Sequence, residues 1–128
     1  MSTGWNKTAA IVAGVGTSGT GATRFNLPAA IAMDSSKSLY VADRINNRTQ
    51  KWLYGASNGS TVAGSPTGIP GSNLSYLIFP LDVELDSSGN LYIADSDNNR
   101  VVLWTVGASS GTIVAGAGKM TIYKRVFI

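Results

Sequence analysis

Two short sets of carboxylate, amide and guanidinium groups are the residues of this chain best placed by type and spacing to do chemistry. The first runs from Asp43 to Arg48 and the second from Asp95 to Arg100. A carboxylate close to a guanidinium could serve as an acid–base pair or bind an anionic substrate. Because both sets have the same spacing, we expect a structural role instead, with each Arg hydrogen-bonded to its Asp and each Asn in a turn. The residues concerned are Asp43, Asn47, Arg48, Asp95, Asn99 and Arg100.

The rest of the composition argues against an active site. The chain has no His and no Cys, which removes the usual zinc ligands and the commonest general base. Asp34 and Asp86 precede predicted turns, where an Asp side chain accepts backbone N–H bonds, and calcium would need several more converging oxygens. We therefore expect no catalytic residue, no metal site, no cofactor and no enzymatic activity.

Two further motifs have a plain structural interpretation. The segment from Gly14 to Gly19 fits a glycine-rich dinucleotide fingerprint, but no helical pattern comes after it, so we expect a linker. Trp52 and Trp104 could stack on a ligand, although aromatic residues at equivalent positions of a repeat are more often used for packing. We expect them to pack between repeat units.

An internal repeat organises the chain. Residues 27–64 align without a gap with residues 79–116 at an offset of 52, and 19 of the 38 aligned pairs are identical. Each copy ends in Val-Ala-Gly, and the same triplet occurs once more at Val12 to Gly14. The sequence therefore predicts two full copies, preceded by the tail of an earlier one.

Each copy is predicted to contain four short strands. In the second copy, Leu81, Val83 and Leu85 alternate with acidic residues, as expected of a half-buried strand. Further strands are predicted over 90–95, 100–106 and 112–115, separated by turns rich in Gly, Ser and Asn. Four antiparallel strands form a propeller blade. In the first copy Lys37 replaces Gly89 in the hairpin, so that turn is expected to be strained or of another type.

These elements divide the chain into five parts. They are the tail of a preceding blade with its linker (1–26), repeat 1 (27–64), an inter-repeat loop (65–78), repeat 2 (79–116) and a divergent tail (117–128). Two blades cannot close a ring, because each blade buries its faces only against neighbours. We expect a propeller fragment or a subunit that completes its ring by self-association.

Charge and targeting signals are weak. The net charge is +3 with 10 basic residues spread along the chain, which argues against nucleic-acid binding. No apolar stretch is long enough to span a membrane, and no signal peptide is expected at the N-terminus. Four Asn-x-Ser/Thr sequons, at Asn6, Asn47, Asn58 and Asn73, favour an extracellular parent protein, and the compartment stays open.

The repeated Leu-Tyr-Val/Ile-Ala-Asp and Asn-Asn-Arg motifs, with the Val-Ala-Gly endings, resemble the NHL-repeat family of β-propellers. The resemblance implies an all-β, NHL-type propeller fragment that acts as a scaffold for a protein partner or ligand. One alternative is a fragment of a metal-dependent lyase or a lactonase-like hydrolase, with its catalytic residues outside this chain. A second is an RNA-binding propeller using Arg24, Lys51, Lys124 and Arg125.

Overall fold

The computed structural model describes residue 4 and residues 7–116, and its regular structure is two four-stranded antiparallel sheets. The first sheet contains β1 (Pro28–Met33), β2 (Leu39–Asp43), β3 (Arg48–Trp52) and β4 (Ser60–Gly64). The second contains β5 (Pro80–Leu85), β6 (Leu91–Asp95), β7 (Arg100–Trp104) and β8 (Thr112–Ala115), with one turn of 3-10 helix at Ser96–Asn98. The predicted fold class, all-β with four-stranded antiparallel blades, is confirmed.

The two sheets have the same strand order and register. In each one the strands lie side by side in chain order, β1-β2-β3-β4 and β5-β6-β7-β8. Asp43 pairs with Arg48 across β2 and β3, and Asp95 pairs with Arg100 across β6 and β7. The 52-residue sequence repeat is therefore also a repeat of backbone geometry, and we call the two sheets the first and second blade.

Strand direction gives each blade two distinct ends. The tight turns after β1, β3, β5 and β7 lie at one end, which we call the hairpin end. The turns after β2 and β6 lie at the other end, which we call the loop end, and the connection from β4 to β5 (residues 65–79) starts and finishes there. In the middle of the connection, the Leu74 carbonyl accepts from the Gly111 N–H of the turn after β7, so this part extends towards the hairpin end. The repeated Asp, Asn and Arg side chains start from strand termini at the loop end.

The main core lies between the blades. The first blade contributes Tyr40, Ala42 and Ala63, and Leu77 of the connection is fully buried beside them. The second blade contributes a larger apolar surface: Val83, Leu91, Ile93, Val102 and Trp104. Because neither sheet buries this surface alone, the two blades stabilise each other. Their first strands, β1 and β5, pack against one another.

The structure differs from the sequence expectations at two places. The third strand of the second copy ends at Trp104 rather than Val106, because Thr105 already begins the turn, its carbonyl accepting from the Ala108 N–H. Val12 to Gly14 forms no strand in the structure, where no neighbouring strand pairs with it, whereas the equivalent residues 62–64 lie in β4 and residues 114–115 lie in β8. The divergent tail, residues 117–128, lies outside the described residues.

Candidate functional site

In each blade the repeated Asp and Arg form a buried ion pair. Arg48 Nε lies 2.9 Å from Asp43 Oδ2, and Arg100 Nε lies 2.7 Å from Asp95 Oδ2. Both carboxylates are completely buried, and the two guanidinium groups are almost so. A buried pair of this kind is directed at the protein interior, and it does not present its charges to a substrate in solvent.

The remaining nitrogens of Arg48 hold a loop that precedes the first blade. Nη1 donates to the carbonyl oxygens of Thr20 at 2.7 Å and Pro66 at 3.2 Å. Nη2 donates to those of Gly21 and Arg24, each at 3.1 Å. The planar guanidinium thus binds main chain that precedes the first blade and main chain that follows it. A lysine could not make these bonds with the same geometry.

Arg100 repeats this arrangement on the connection between the blades. Its Nη1 donates to Ser72 O at 2.8 Å, and its Nη2 donates to Asn73 O at 3.0 Å and Tyr76 O at 3.2 Å. These acceptors lie 28, 27 and 24 residues before the arginine, as Thr20, Gly21 and Arg24 do before Arg48. One side chain therefore holds the middle of a long connection in a fixed conformation.

An asparagine adjacent to the repeated turn completes each network. Asn46 Nδ2 donates to Asp43 Oδ2 at 2.9 Å and to Gly19 O at 2.7 Å. In the second blade Asn98 donates to Asp95 Oδ2 at 2.8 Å and to Gly71 O at 3.0 Å. We call each set of Asp, Asn and Arg a loop clamp. Sequence reasoning missed Asn46 and Asn98 as members, although Gly19 and Gly71, whose carbonyls they bind, share the offset of 52.

The second clamp affects the ionisation of its carboxyl group. Burial raises the pKa of Asp95 above its ordinary value of 3.8, because desolvation outweighs the hydrogen bonds from Ile78 N, Asn98 and Arg100. The Ile78 N–H donates to Asp95 Oδ1 at 2.7 Å, and the Asn26 N–H donates to Asp43 Oδ1 at the same distance. Each carboxylate therefore also fixes the chain just before its own blade.

Asn47 and Asn99 occupy equivalent left-handed positions, with φ of 54° and 53°. Asn47 Nδ2 donates to Gly68 O at 3.0 Å, and its Oδ1 accepts from the Phe79 N–H at 3.0 Å. Asn47 thus joins the first blade to the chain entering the second. The Asn99 side chain forms no such bond with a described residue.

Asp34 and Asp86 start the two hairpins at the opposite end of the blades. Asp34 Oδ1 accepts from Ser36 and Ser38 N–H groups, and Asp86 Oδ1 accepts from the Asn90 N–H, all at 2.9 Å. The Ser38 amide is the largest cause that lowers the pKa of Asp34, and the Asn90 amide is the largest for Asp86. A polar groove of about 510 Å³ separates the two hairpins.

The repeated tryptophans are buried, with 2% and 3% of Trp52 and Trp104 exposed. Each indole N–H donates at 2.8 Å to the carbonyl four residues later, Ala56 O and Ala108 O. Trp104 lies in the core between the blades, and Trp52 contacts Phe25 with ring centres 5.4 Å apart. Neither ring face is open for a ligand to stack on.

The basic residues considered for RNA binding do not form one patch. Arg24 lies in the loop held by Arg48 at the loop end. Lys51 lies near the hairpin end, with Nζ 5.3 Å from the centre of the Tyr40 ring. Lys124 and Arg125 lie outside the described residues. Within the described chain, no three acidic side chains converge on a common point as metal ligands would, and no helix has the length and apolarity to cross a membrane.

The connection between the blades offers side chains on a fixed backbone. Its carbonyl groups bind Arg100 and Asn98, and Leu77 anchors it in the core. Ile69 and Leu74 nevertheless remain 55% and 39% exposed. An apolar side chain that is exposed on an ordered loop is a candidate contact for a partner.

A comparison with protein families supports this architecture. A search of curated proteins found no match. A family model described as NHL repeat matches residues 77–102, which include β5, β6 and the first part of β7 with the whole Asp95 to Arg100 motif. The chain therefore contains an NHL repeat, which forms most of its second blade, and it has the all-β fold of an NHL-type propeller fragment.

Proposed function

We propose that this chain is a non-enzymatic interaction scaffold, and that the loop end of its blades binds an extended segment of a partner protein. The observation that carries the proposal is the loop clamp, in which Arg100 binds three carbonyl groups of the connection. A loop that is ordered before binding loses less conformational entropy when a partner arrives. The charged groups of the motif serve this ordering, which supports binding over catalysis.

The chemistry of the loop end indicates what the partner segment carries. Ile69 offers an apolar contact. Arg44 lies over the Phe79 ring at 5.6 Å from its centre, and its Nε is buried without a hydrogen-bond partner in the described chain. We expect a segment with apolar side chains and a carboxylate that reaches Arg44.

Selection of displayed random peptides against the immobilised chain tests this proposal. We expect enriched peptides to bind at least about tenfold more weakly to an Ile69→Asp variant than to the wild type, because an exposed apolar anchor is lost. Val106→Asp is the matched control, since Val106 is 73% exposed at the hairpin end. Peptides that bind both variants equally, or that compete with RNA for the chain, would contradict the assignment of the loop end to a protein segment.

The alternative of an enzyme fragment rests on residues that this chain does not contain. A longer form of the protein with His-bearing loops and metal-dependent turnover would favour it. Substrate turnover by this chain that is abolished by Asp95→Asn, with the fold retained, would overturn the non-enzymatic proposal directly.

A further inference from the structure

A pocket of about 320 Å³ lies at the hairpin end, between the first blade and the chain that precedes it. Lys37 is the one cation among the described residues that line it, and no acidic side chain of the described chain does so. The main apolar walls come from the preceding chain, from β2 and from the turn after β3: Ile11, Val12, Leu39, Leu53 and Tyr54. We call this cavity the corner pocket.

The equivalent corner of the second blade is closed. The cavity there measures only about 70 Å³, and it is lined by Leu91, which is equivalent to Leu39 of the corner pocket. Its remaining space is filled by three side chains of the first blade, Tyr40, Lys51 and Val62. The corner pocket therefore has room for a ligand that the second blade lacks.

The two blades differ at three of the positions that line the corner pocket. Lys37, Leu53 and Tyr54 stand where the second blade has Gly89, Thr105 and Val106. The other lining positions within the repeat are identical in the two blades: Leu39, Trp52, Gly55 and Ala56. Each difference gives the first blade either a cation or a larger apolar side chain. All three differences therefore favour a ligand that is both apolar and anionic.

Lys37 has a conformation that costs stability. Its φ is 64°, in the left-handed region, where the second blade has a glycine. Its ammonium lies 5.5 Å from the centre of the Tyr54 ring, and it forms no ion pair with a described residue. The Asp34 carboxylate of the same hairpin binds two amides of the hairpin and the Tyr40 hydroxyl. Strained residues cluster at functional sites, and this one offers an unpaired charge to a ligand.

We propose that the corner pocket binds a small aromatic monocarboxylate. The carboxylate pairs with the Lys37 ammonium, and the aromatic ring packs against Leu53 and Tyr54, which are 58% and 75% exposed. The cavity volume is at the small end of the range for ligand pockets, which a molecule with one or two rings can fill. This site lies at the hairpin end, so the proposal does not depend on partner binding at the loop end.

A further blade is a poorer occupant of the corner pocket. In the Val-Ala-Gly triplets Val12 is equivalent to Val62, so the chain's own Val12 already takes one of the three covering positions. A covering blade with the residues of the first blade would also bring a lysine equivalent to Lys51 against Lys37. Repulsion between two ammonium groups in a largely apolar pocket would oppose that contact.

Titration of the full chain with three naphthalene derivatives, followed by its amide NMR signals, tests the proposal. Naphthoate is anionic, naphthamide is uncharged and naphthylmethylammonium is cationic. We expect saturable binding of naphthoate that shifts the signals of Val12, Leu53 and Tyr54 and is about fivefold tighter than that of naphthamide. The cation should bind most weakly. Equal affinities for naphthoate and naphthamide, or no saturable binding of naphthoate, would overturn the proposal.

Variants that carry the residue of the second blade separate charge from shape. We expect Lys37→Gly to reduce the affinity for naphthoate to that for naphthamide and to leave the affinity for naphthamide unchanged. Tyr54→Val should weaken the binding of both. Lys51→Leu is the matched control, because Lys51 also lies near the hairpin end but lines the closed cavity between the blades. Equal losses of naphthoate affinity in Lys37→Gly and Lys51→Leu would contradict the assignment of the charge to Lys37.

A dilution series without ligand tests whether a second copy of the chain fills the corner pocket. We expect the amide signals of Leu53 and Tyr54 to stay unchanged on dilution, with a constant solution mass from light scattering. Shifts of these signals that accompany a rise in mass with concentration would show that another copy occupies the pocket, and they would overturn the proposal.

Discussion

Lys37 has a left-handed backbone, with φ of 64°, at the hairpin position that Gly89 occupies in the second blade with φ of 85°. The two turns share the same hydrogen bonds, from Lys37 N to Asp34 O and from Gly89 N to Asp86 O. The replacement of Gly by Lys therefore left the turn type unchanged and placed a side chain in a strained conformation. The Lys37 ammonium lies 5.5 Å from the centre of the Tyr54 ring, a contact that offsets part of the strain.

We expect Lys37→Gly to stabilise the chain and Gly89→Ala to destabilise it, each by about 1 kcal/mol. A Cβ at Gly89 would approach only Val106, at an ordinary 3.5 Å, so the backbone strain dominates there. Chemical denaturation gives both free energies of unfolding. Changes of the same sign for the two variants would show that the left-handed conformation does not govern the stability of these turns.

The hairpin carboxylates predict a dependence of stability on pH. Because amide hydrogen bonds lower the pKa of Asp34 and Asp86 in the folded chain, both groups stabilise the fold above the unfolded-state pKa. This contribution is lost as the pH falls through the lower, folded-state values. We expect unfolding measured between neutral and strongly acid pH to show a smaller loss of stability in Asp86→Asn than in the wild type.

Asp97→Asn serves as the control for this pH series, because the exposed Asp97 side chain accepts no hydrogen bond from a described residue. If Asp97→Asn reduces the loss of stability at acid pH as much as Asp86→Asn does, the prediction is wrong. That result would mean that general charge repulsion, and not the hairpin hydrogen bonds, sets the dependence of stability on pH.

At the scale of elements, the two blades differ in how they are joined to the next segment of the chain. Asn47, which directly precedes β3, binds Gly68 and Phe79 of the connection to the second blade. The side chain of Asn99, which directly precedes β7, forms no such bond with a described residue. The same residue in the same backbone conformation therefore has two different environments. This makes a matched pair of substitutions informative.

We expect Asn47→Gly to destabilise the chain by about 1–3 kcal/mol, because it removes buried hydrogen bonds that join the blades. Asn99→Gly should have a much smaller effect. Glycine accepts the positive φ at both sites, so the comparison isolates the side-chain bonds. Equal losses of unfolding free energy for the two variants would indicate that Asn47 acts only through its own turn.

For the whole molecule, the shared core predicts that both blades unfold together. Residues of both sheets form one apolar cluster, so that loss of one blade exposes the packing surface of the other. In a Trp5→Phe background, two variants keep only Trp52 or only Trp104, with the other replaced by Phe. Within each variant, tryptophan fluorescence and far-ultraviolet circular dichroism should give the same unfolding midpoint. Two separate midpoints would show that the blades are independent units.

The sequence alone determined the repeat, the strand count of each blade and the identity of the main motif residues. This was possible because these features recur at a constant spacing: the Asp, Asn and Arg of the first copy predict those of the second. Strand alternation and turn residues are local signals, and they placed β5, β6 and β8 to within one residue at each end. The predicted end of β7 was two residues too late, because the turn begins before the apolar pattern of the sequence ends.

Only the tertiary structure decided which groups the repeated arginine side chains bind. The acceptors of Arg48 and Arg100 are carbonyl groups of loops up to 28 residues earlier, and main-chain carbonyls have no signature in a sequence. The packing of Leu77 into the core and the opposite ends occupied by Arg24 and Lys51 also depend on how the blades pack. Local sequence fixes periodicity and turns, whereas long-range hydrogen bonds and blade packing arise only when distant segments meet.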